Sequence, residues 1–167
     1  MLKKKMEKAL NAQVNAELYS AYLYLSMSSY FQSKNLPGFA NWMLVQAREE
    51  VSHGMKIYDY IVERGSRATL AAIEDPKKEW KSPLDAFQDT LAHEQKVTDL
   101  INGLVDLAIA ENDHATGSFL RWFVDEQVEE EANAGGLVEQ MKLVGDAPGA
   151  LFMMDRELGR RGVSVPE

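Results

Sequence analysis

The sequence predicts an all-α protein in which four long helices form a bundle, followed by a short fifth helix. Two observations lead to this prediction. Apolar residues recur every three or four positions along four long stretches, which is the spacing of amphipathic helices. One long connection separates the second stretch from the third. With 167 residues, 46% of them hydrophobic, the chain suits one domain with a sizeable core, so we assign residues 1–167 to a single domain.

The first helix is predicted over residues 6–33 and the second over residues 39–64. A turn at residues 35–38, which contains Pro37 and Gly38, separates them and makes them antiparallel. Gly65 is expected to cap the second helix. The predicted buried stripe of the first helix, with Leu25 beside it, is Met6, Leu10, Gln13, Glu17, Ala21, Tyr24, Ser28 and Phe31. The stripe of the second is Phe39, Trp42, Met43, Gln46, Glu50, His53, Ile57, Tyr60 and Ile61.

Residues 66–81 form the one long connection. At roughly 3.3 Å per extended residue it can cross the length of the bundle, which makes the third helix parallel to the second. That helix is predicted over residues 83–110, with Ser82 as its N-cap and Pro83 in its first position.

The fourth helix is predicted over residues 114–143, capped by Asp113, and the fifth over residues 147–161. Gly135 and Gly136 lie inside the fourth helix, where the pair costs about 2 kcal/mol relative to alanine, so we expect a bend or a close contact there. In the fifth helix, Leu151, Met154 and Leu158 share one face.

Charge and composition narrow the function classes. The net charge of −8 disfavours a nucleic-acid surface and suits a protein that attracts cations. There is no cysteine, which excludes disulfides, zinc fingers, iron–sulfur clusters and thiol nucleophiles, so a metal would need carboxylate, imidazole or amide ligands. No apolar run has the length of a membrane span, and the basic N-terminus lacks the apolar segment of a signal peptide. We expect a cytoplasmic protein with neither nucleic-acid nor membrane partners.

Each of the four long helices carries a metal-capable side chain near the middle of its apolar stripe. The midpoints of antiparallel helices lie at one level, so these side chains should meet in one layer of the core. They are Glu17, Glu50, His53, Glu94, Gln127 and Glu130. Burying such charges costs several kcal/mol each unless they are paired or bind metal. For one glutamate alone a solvent-facing position is the better interpretation, but not for four helices at matched depth.

The chemistry that suits this layer is a pair of divalent metal ions. Carboxylates with one imidazole favour iron or manganese over copper. Di-iron bundles use one Glu from each of two helices and Glu-x-x-His from the other two. Here the second Glu-x-x-His is replaced by Gln127-x-x-Glu130, which makes the two metal positions unequal. A weakly held second ion suits a site that oxidises iron and releases it.

Four motifs resemble those of the ferritin family, in particular the non-haem ferritins of bacteria and archaea. These motifs are Asn15-Ala16-Glu17-Leu18-Tyr19-Ser20, Glu49-Glu50-Val51-Ser52-His53, His93-Glu94 and Glu126-Gln127-Val128-Glu129-Glu130-Glu131. The resemblance spans nearly the whole chain and implies a ferritin-like bundle with a ferroxidase centre formed by the layer just described. It also implies that Tyr24 lies beside this centre and that a third iron position lies near Glu49, Glu126, Glu129 and Glu130.

The resemblance also bears on haem and on assembly. Bacterioferritins keep Glu-x-x-His in both halves and hold haem with a methionine at the position of Ser52, so we predict no haem here. Ferritins form a hollow shell of roughly 24 identical subunits with closed symmetry. The fifth helix is a candidate contact element in such a shell.

The main hypothesis is an iron-storage ferroxidase that oxidises Fe2+ with O2 or peroxide and stores it as a ferric mineral. One alternative is a di-iron oxidase or oxygenase acting on an organic substrate, which would require a symmetric, permanently loaded site. Another is a DNA-protecting mini-ferritin-like cage. The negative net charge of the chain argues against this alternative. A purely structural bundle would leave the buried acids unexplained.

Several further residues have plainer interpretations. His93 is expected on the surface, His114 in a turn, and Trp122 in ordinary packing. From spacing alone, Glu49, Glu126 and Glu129 suit a solvated helix face at least as well as a metal site, and only the resemblance favours the second role.

Overall fold

The computed structural model describes residues 1–145 and 147–162. Among these residues there are five helices and no strand. The helices are α1 Lys4–Ser33, α2 Pro37–Glu63, α3 Pro83–Ala110, α4 His114–Val144 and α5 Pro148–Leu158. The all-α prediction with four long helices and a short fifth one is confirmed. Residues 146 and 163–167, which the domain prediction includes, lie outside the described residues.

The helix boundaries follow local backbone chemistry. Pro37 occupies the start of α2, two residues before the predicted start. The hydroxyl of Ser82 accepts a hydrogen bond from the Asp85 backbone N–H, and the carboxylate of Asp113 accepts one from Thr116. Gly65 follows α2 with a φ of 71°, the left-handed conformation that glycine adopts most easily. The predicted caps of α3 and α4 and the glycine after α2 are therefore confirmed.

The segment between α2 and α3 runs along the outside of α1. Asn11 contacts the start of the segment through the carbonyl of Arg67 and the N–H of Thr69. Near the other end, Tyr30 donates to the carbonyl of Trp80. Positions 11 and 30 of a helix are separated by roughly 28 Å, so the segment crosses most of the bundle. It brings the chain back to the end at which α2 began, and α3 is therefore parallel to α2, as predicted.

The apolar core is divided into two clusters along the bundle axis. One cluster contains Phe31, Phe39 and Phe87 and extends to the end of α4 and to α5. The other contains Leu10, Ile57 and their neighbours towards the opposite end of the bundle. Between them the buried residues are largely polar. This division gives the candidate site a desolvated position with packed apolar side chains above and below it.

α5 packs against the N-terminus of α2. One carboxylate oxygen of Asp155 accepts hydrogen bonds from the N–H groups of Gly38 (2.8 Å) and Phe39 (3.0 Å), which have no partner within their own helix turn. A Cβ at Gly38 would lie 1.6 Å from the carbonyl oxygen of Asp155. The close packing of α5 on α2 therefore requires a glycine at position 38.

Two sequence-based expectations about packing differ from the structure. Leu25, expected beside the buried stripe, is 48% exposed. Around Gly135 and Gly136 no close contact is found within the described part of the chain. A Cβ at Gly135 would first meet Leu91 at 4.0 Å, and one at Gly136 would meet nothing within 4 Å. α4 continues as a helix through both positions.

No helix in the described ranges combines the length and the apolar character that a membrane crossing needs.

Candidate metal centre

The polar layer between the two apolar clusters receives side chains from all four long helices. All six are buried: Glu17, Glu50, His53, Glu94, Gln127 and Glu130. Glu17 lies in the middle of α1 and Glu94 near the middle of α3, while Glu50 and His53 are one helical turn apart on α2. Because they continue the three- and four-residue spacing of the apolar stripes, these residues lie on the inward faces of their helices.

The α1–α2 side of the layer forms a compact set of ligand atoms. Single donor atoms from Glu17, Glu50 and His53 all lie within 4.8 Å of one another, and this is the one such set of three among the described residues. His53 Nδ1 lies 3.4 Å from Glu50 Oε2. The imidazole ring is edge-on to Trp122, with ring centres 5.4 Å apart. Aromatic packing therefore fixes the orientation of the histidine beside the carboxylates.

Two amides hold the glutamates of this set. The Nε2 group of Gln13 donates to Glu17 Oε1 (2.8 Å), and that of Gln46 donates to Glu50 Oε1 (2.9 Å). In both helices the glutamine precedes the glutamate by four residues, which is the spacing of neighbours on one helix face. Each bond engages only one of the two oxygens of its carboxylate. Gln46 Oε1 is buried without a hydrogen-bond partner within the described part of the chain.

The α3–α4 side of the layer is centred on Glu94. The Tyr24 hydroxyl donates a short hydrogen bond to Glu94 Oε1 from α1. Gln127 Nε2 lies 3.3 Å from Glu94 Oε2 and from the Thr98 hydroxyl, and 3.2 Å from the Glu94 backbone carbonyl. Glu94 is therefore held by a phenol and an amide, whereas Glu50 lies beside an imidazole. The two halves of the layer differ chemically, in line with the unequal positions expected from the sequence.

Burial dominates the electrostatics of the layer. Desolvation, followed by the charge of Glu50, raises the pKa of Glu17 to about 8. Desolvation and the charge of Glu94 raise the pKa of Glu130 to about 7. Desolvation also raises the pKa values of Glu50 and Glu94. Without a cation the layer consequently retains protons that free glutamates would lose.

The donor set fits divalent iron. A cation would replace the protons of the raised-pKa carboxyls and would remove the cost of burying their negative charge. The unpartnered oxygen of Gln46, next to Glu50, is an additional buried acceptor that lacks a donor. Carboxylate oxygens and one imidazole nitrogen are the ligand types that suit Fe2+.

Besides Glu130, the acids expected at a third iron position are Glu49, Glu126 and Glu129, which lie beside this layer and are less buried. His53 Nε2 is 3.9 Å from Glu126 Oε1. Burial, and the charges of Glu129 and Glu49 among other causes, raise the pKa of Glu126. Glu129 is exposed, and Glu49 is bound by Arg161 at 2.5 Å. These carboxylates are within electrostatic reach of one another, but no set of three among them meets the distance found for Glu17, Glu50 and His53.

The structure corrects one site prediction and adds two residues. His93 is half-buried and not fully exposed: its Nε2 lies 2.8 Å from the Ser20 hydroxyl, and its ring packs edge-on against Tyr24. Burial lowers the pKa of His93 to about 4, so the imidazole is neutral. Gln13 and Gln46 lie on the predicted buried stripes, and the sequence alone predicted no role for them. The repeated Gln-x-x-x-Glu spacing in the two helices was the signal that could have revealed them.

A comparison with protein families decides the classification. The profile described as the ferritin-like domain matches residues 7–144, from α1 to the end of α4. The chain belongs to the ferritin family. Among curated ferritin relatives, the bacterial non-heme ferritin of Bacteroides fragilis is 45% identical over 161 residues, covering 96% of this chain and all of the relative. The bacterial non-heme ferritin of Staphylococcus saprophyticus is 44% identical over 167 residues, covering both chains completely.

Solved ferritin structures have the same fold. A closed form of the Archaeoglobus fulgidus ferritin, obtained by site-directed mutagenesis, superposes with a TM-score of 0.97 and is 52% identical, covering 98% of this chain and 100% of that one. The open-pore ferritin of the same archaeon gives a TM-score of 0.96 at 52% identity, covering 97% of this chain and 99% of the other. Both the family and the bundle fold predicted from the sequence are therefore confirmed.

Proposed function

We propose that this ferritin is an iron-storage ferroxidase. Fe2+ is the substrate, and the buried layer that contains Glu17, Glu50 and His53 is the place where it loses an electron. The observation that carries the proposal is the convergence of these three donors within 4.8 Å inside a core that otherwise has no reason to bury them. Membership of the ferritin family supports iron storage as the purpose of this oxidation.

The protein residues act by binding and by exchanging protons. Glu17, Glu50 and His53 supply the tighter position, while Glu50, Glu94 and either Gln127 or Glu130 supply the weaker one. When Fe2+ enters, the raised-pKa carboxyls release their protons, and their anionic oxygens favour Fe3+ over Fe2+. Tyr24 and Gln127 hold Glu94 in place by hydrogen bonds.

The overall reaction balances with either oxidant. Two Fe2+ ions give one electron each to O2, and with two protons the products are two Fe3+ ions and one H2O2. Alternatively, H2O2 accepts the two electrons and, with two protons, yields two water molecules. The carboxyl groups of the layer are a nearby source of these protons. The Fe3+ ions then leave the weaker position and add to a mineral.

Storage further requires a cavity, which one bundle does not have, and we propose a closed shell of roughly 24 copies. An exposed apolar groove along α1 and α2 supports assembly. It is lined by side chains that include Tyr22, Leu25, Val51 and Ile73, all more than 40% exposed. Contiguous apolar surface of this kind marks a protein–protein contact.

The main alternative is a di-iron oxidase acting on an organic substrate. The unequal halves of the layer disfavour it, because a permanently loaded cofactor is better served by a symmetric ligand set. The observed hydrogen bond between Gln127 and Glu94, with an amide in place of an imidazole, is the specific feature against it.

Aerobic addition of Fe2+ to iron-free protein separates the two functions. A storage protein is expected to elute as a large particle and to retain many iron atoms per chain. A di-iron oxidase would stop at about two per chain, by the ligand count. Iron retention that saturates at two, or a monomeric particle, would contradict the proposed function.

A further inference from the structure

Arg161, in the segment after α5, is fixed against α2 beside the acids outside the metal layer. Its Nη2 atom lies 2.5 Å from Glu49 Oε2, and its guanidinium carbon lies 4.3 Å from the ring centre of Trp42. Its backbone carbonyl accepts a hydrogen bond of 3.0 Å from Asn41. The Arg161 and Glu49 side chains are only 21% and 11% exposed. The ion pair is therefore largely shielded from water, unlike the surface pairs that contribute little.

The fold fixes this arginine in position through α5. Asp155 caps the start of α2, and Leu158 is buried in the apolar cluster at that end of the bundle. Arg161 follows Leu158 by three residues, and its position relative to Glu49 is set by the docking of the whole helix. A stacked and hydrogen-bonded arginine of this kind loses less freedom on pairing than a mobile lysine would.

The charge of Arg161 acts on the carboxylates proposed for the third iron position. It pairs directly with Glu49, and it is among the charges that favour the ionised form of Glu130. The pKa of Glu126, in turn, is raised by burial and by the negative charges of Glu129 and Glu49. A fixed positive charge therefore lies beside Glu49, one of the carboxylates proposed for the third iron position.

We propose that Arg161 is the built-in counter-ion of the third iron position, occupying Glu49 when no iron is bound there and competing with iron for it. This inference rests on the proposed function, since it assigns a role next to the ferroxidase layer. Competition lowers the affinity of the third position relative to the two internal ones. An ion that reaches Glu49 is then held weakly and passes on, which suits transfer towards storage.

The test uses the assembled, iron-free protein and titrates Fe2+ under anaerobic conditions by calorimetry. Arg161→Gln should bind an ion at the third position about 10-fold more tightly than the wild type, the effect of removing one partly buried like charge. Arg160→Gln is the matched control, because it removes the same charge from the neighbouring exposed position. It should keep the wild-type affinity. Equal affinities in wild type and Arg161→Gln would overturn the proposal.

Two further variants separate competition from a merely structural role. Arg161→Lys keeps the charge and should restore most of the low affinity, and Glu49→Gln combined with Arg161→Gln should abolish the gain. If Arg161→Gln lowers the melting temperature without changing third-ion affinity, the residue only anchors α5 and the proposal fails. A gain that persists in the double variant would also overturn it, because the effect would not pass through Glu49.

The same titration distinguishes this inference from the proposed function. Two tight Fe2+ ions per wild-type chain, with no gain in Arg161→Gln, would refute the counter-ion role alone. A wild-type protein without tight internal ions would refute the ferroxidase function, and the counter-ion role with it.

Discussion

Glu17 and His53 are the residues whose loss should affect iron oxidation most directly. Both belong to the compact donor set, and neither is a member of the two apolar clusters of the core. Glu17→Ala or His53→Ala should slow aerobic Fe2+ oxidation by about 100-fold or more, because losing a group that merely orients a metal ligand already costs about 10- to 100-fold. Stopped-flow absorbance measures the rate, and far-ultraviolet circular dichroism should show unchanged helix content.

The exposed His114 provides a control for this prediction. His114→Ala removes an imidazole from the start of α4 and should leave the oxidation rate unchanged. Wild-type rates in both Glu17→Ala and His53→Ala would eliminate the assigned centre.

The raised pKa values of the buried acids predict how the stability of the iron-free protein depends on pH. Burial raises the pKa of Glu17 from its ordinary value of 4.5 to about 8 in the folded protein. Between these values the folded state binds more protons than the unfolded state, so the free energy of unfolding falls as the pH rises from about 5 to 8. Chemical denaturation at a series of pH values, with a chelator present, should show this decrease.

Two variants test the origin of that decrease. Glu17→Gln stays uncharged at every pH and should make the decrease smaller, whereas Glu63→Gln, at an exposed position on α2, should leave it unchanged. A steeper decrease in Glu17→Gln, or an unchanged one, would show that the pH dependence has another source.

At the scale of single helices, the contact between α5 and α2 predicts a sharp glycine requirement. A Cβ at Gly38 would collide with the Asp155 backbone, so Gly38→Ala should force α5 outwards and destabilise the protein by about 1–3 kcal/mol, the cost of overpacking. Thermal unfolding measures the loss. Gly103→Ala is the control, because a Cβ there meets nothing within 4 Å and alanine is the better helix former. A stable Gly38→Ala protein would contradict the packing described for α5.

The number, order and direction of the helices were largely predictable from the sequence. The four long apolar stripes and the caps at Ser82 and Asp113 predicted the helices. The length of the connection between α2 and α3 predicted the direction of α3. The burial of Glu17, Glu50, His53 and Glu94 was predictable because a polar or charged side chain on an apolar stripe is costly and therefore conspicuous. The pairing of Glu49 with Arg161 was not predictable, since the two residues are 112 positions apart and neither interrupts a pattern.

The other differences have equally local causes. His93 was expected on the surface because it points away from the face of Glu94, but Ser20 and two tyrosines enclose it. Leu25 was placed near the core by its spacing, although it lies on the groove that faces outwards. Hydrophobic periodicity predicts which residues avoid water, but it does not tell whether the same chain or another copy covers them.

At the scale of the whole molecule, the apolar groove on α1 and α2 predicts dependence on assembly. Leu25→Glu places a charge among apolar side chains and should convert the large particle to smaller species. Light scattering coupled to size-exclusion chromatography measures the mass. Gln95→Glu adds the same charge at an exposed position on α3 and should leave the particle intact. An intact particle in Leu25→Glu would show that this groove is not a subunit contact.

The division of the core by a layer of neutralised acids has a consequence for how the chain matures. Many small metal-binding domains stay unfolded until their ion arrives, because the free energy of metal binding supplies their free energy of folding. Here hydrogen ions already serve as placeholders at Glu17 and Glu130, and two packed apolar blocks close the bundle around them. The bundle can therefore fold without iron, before the metal that it is proposed to bind is present.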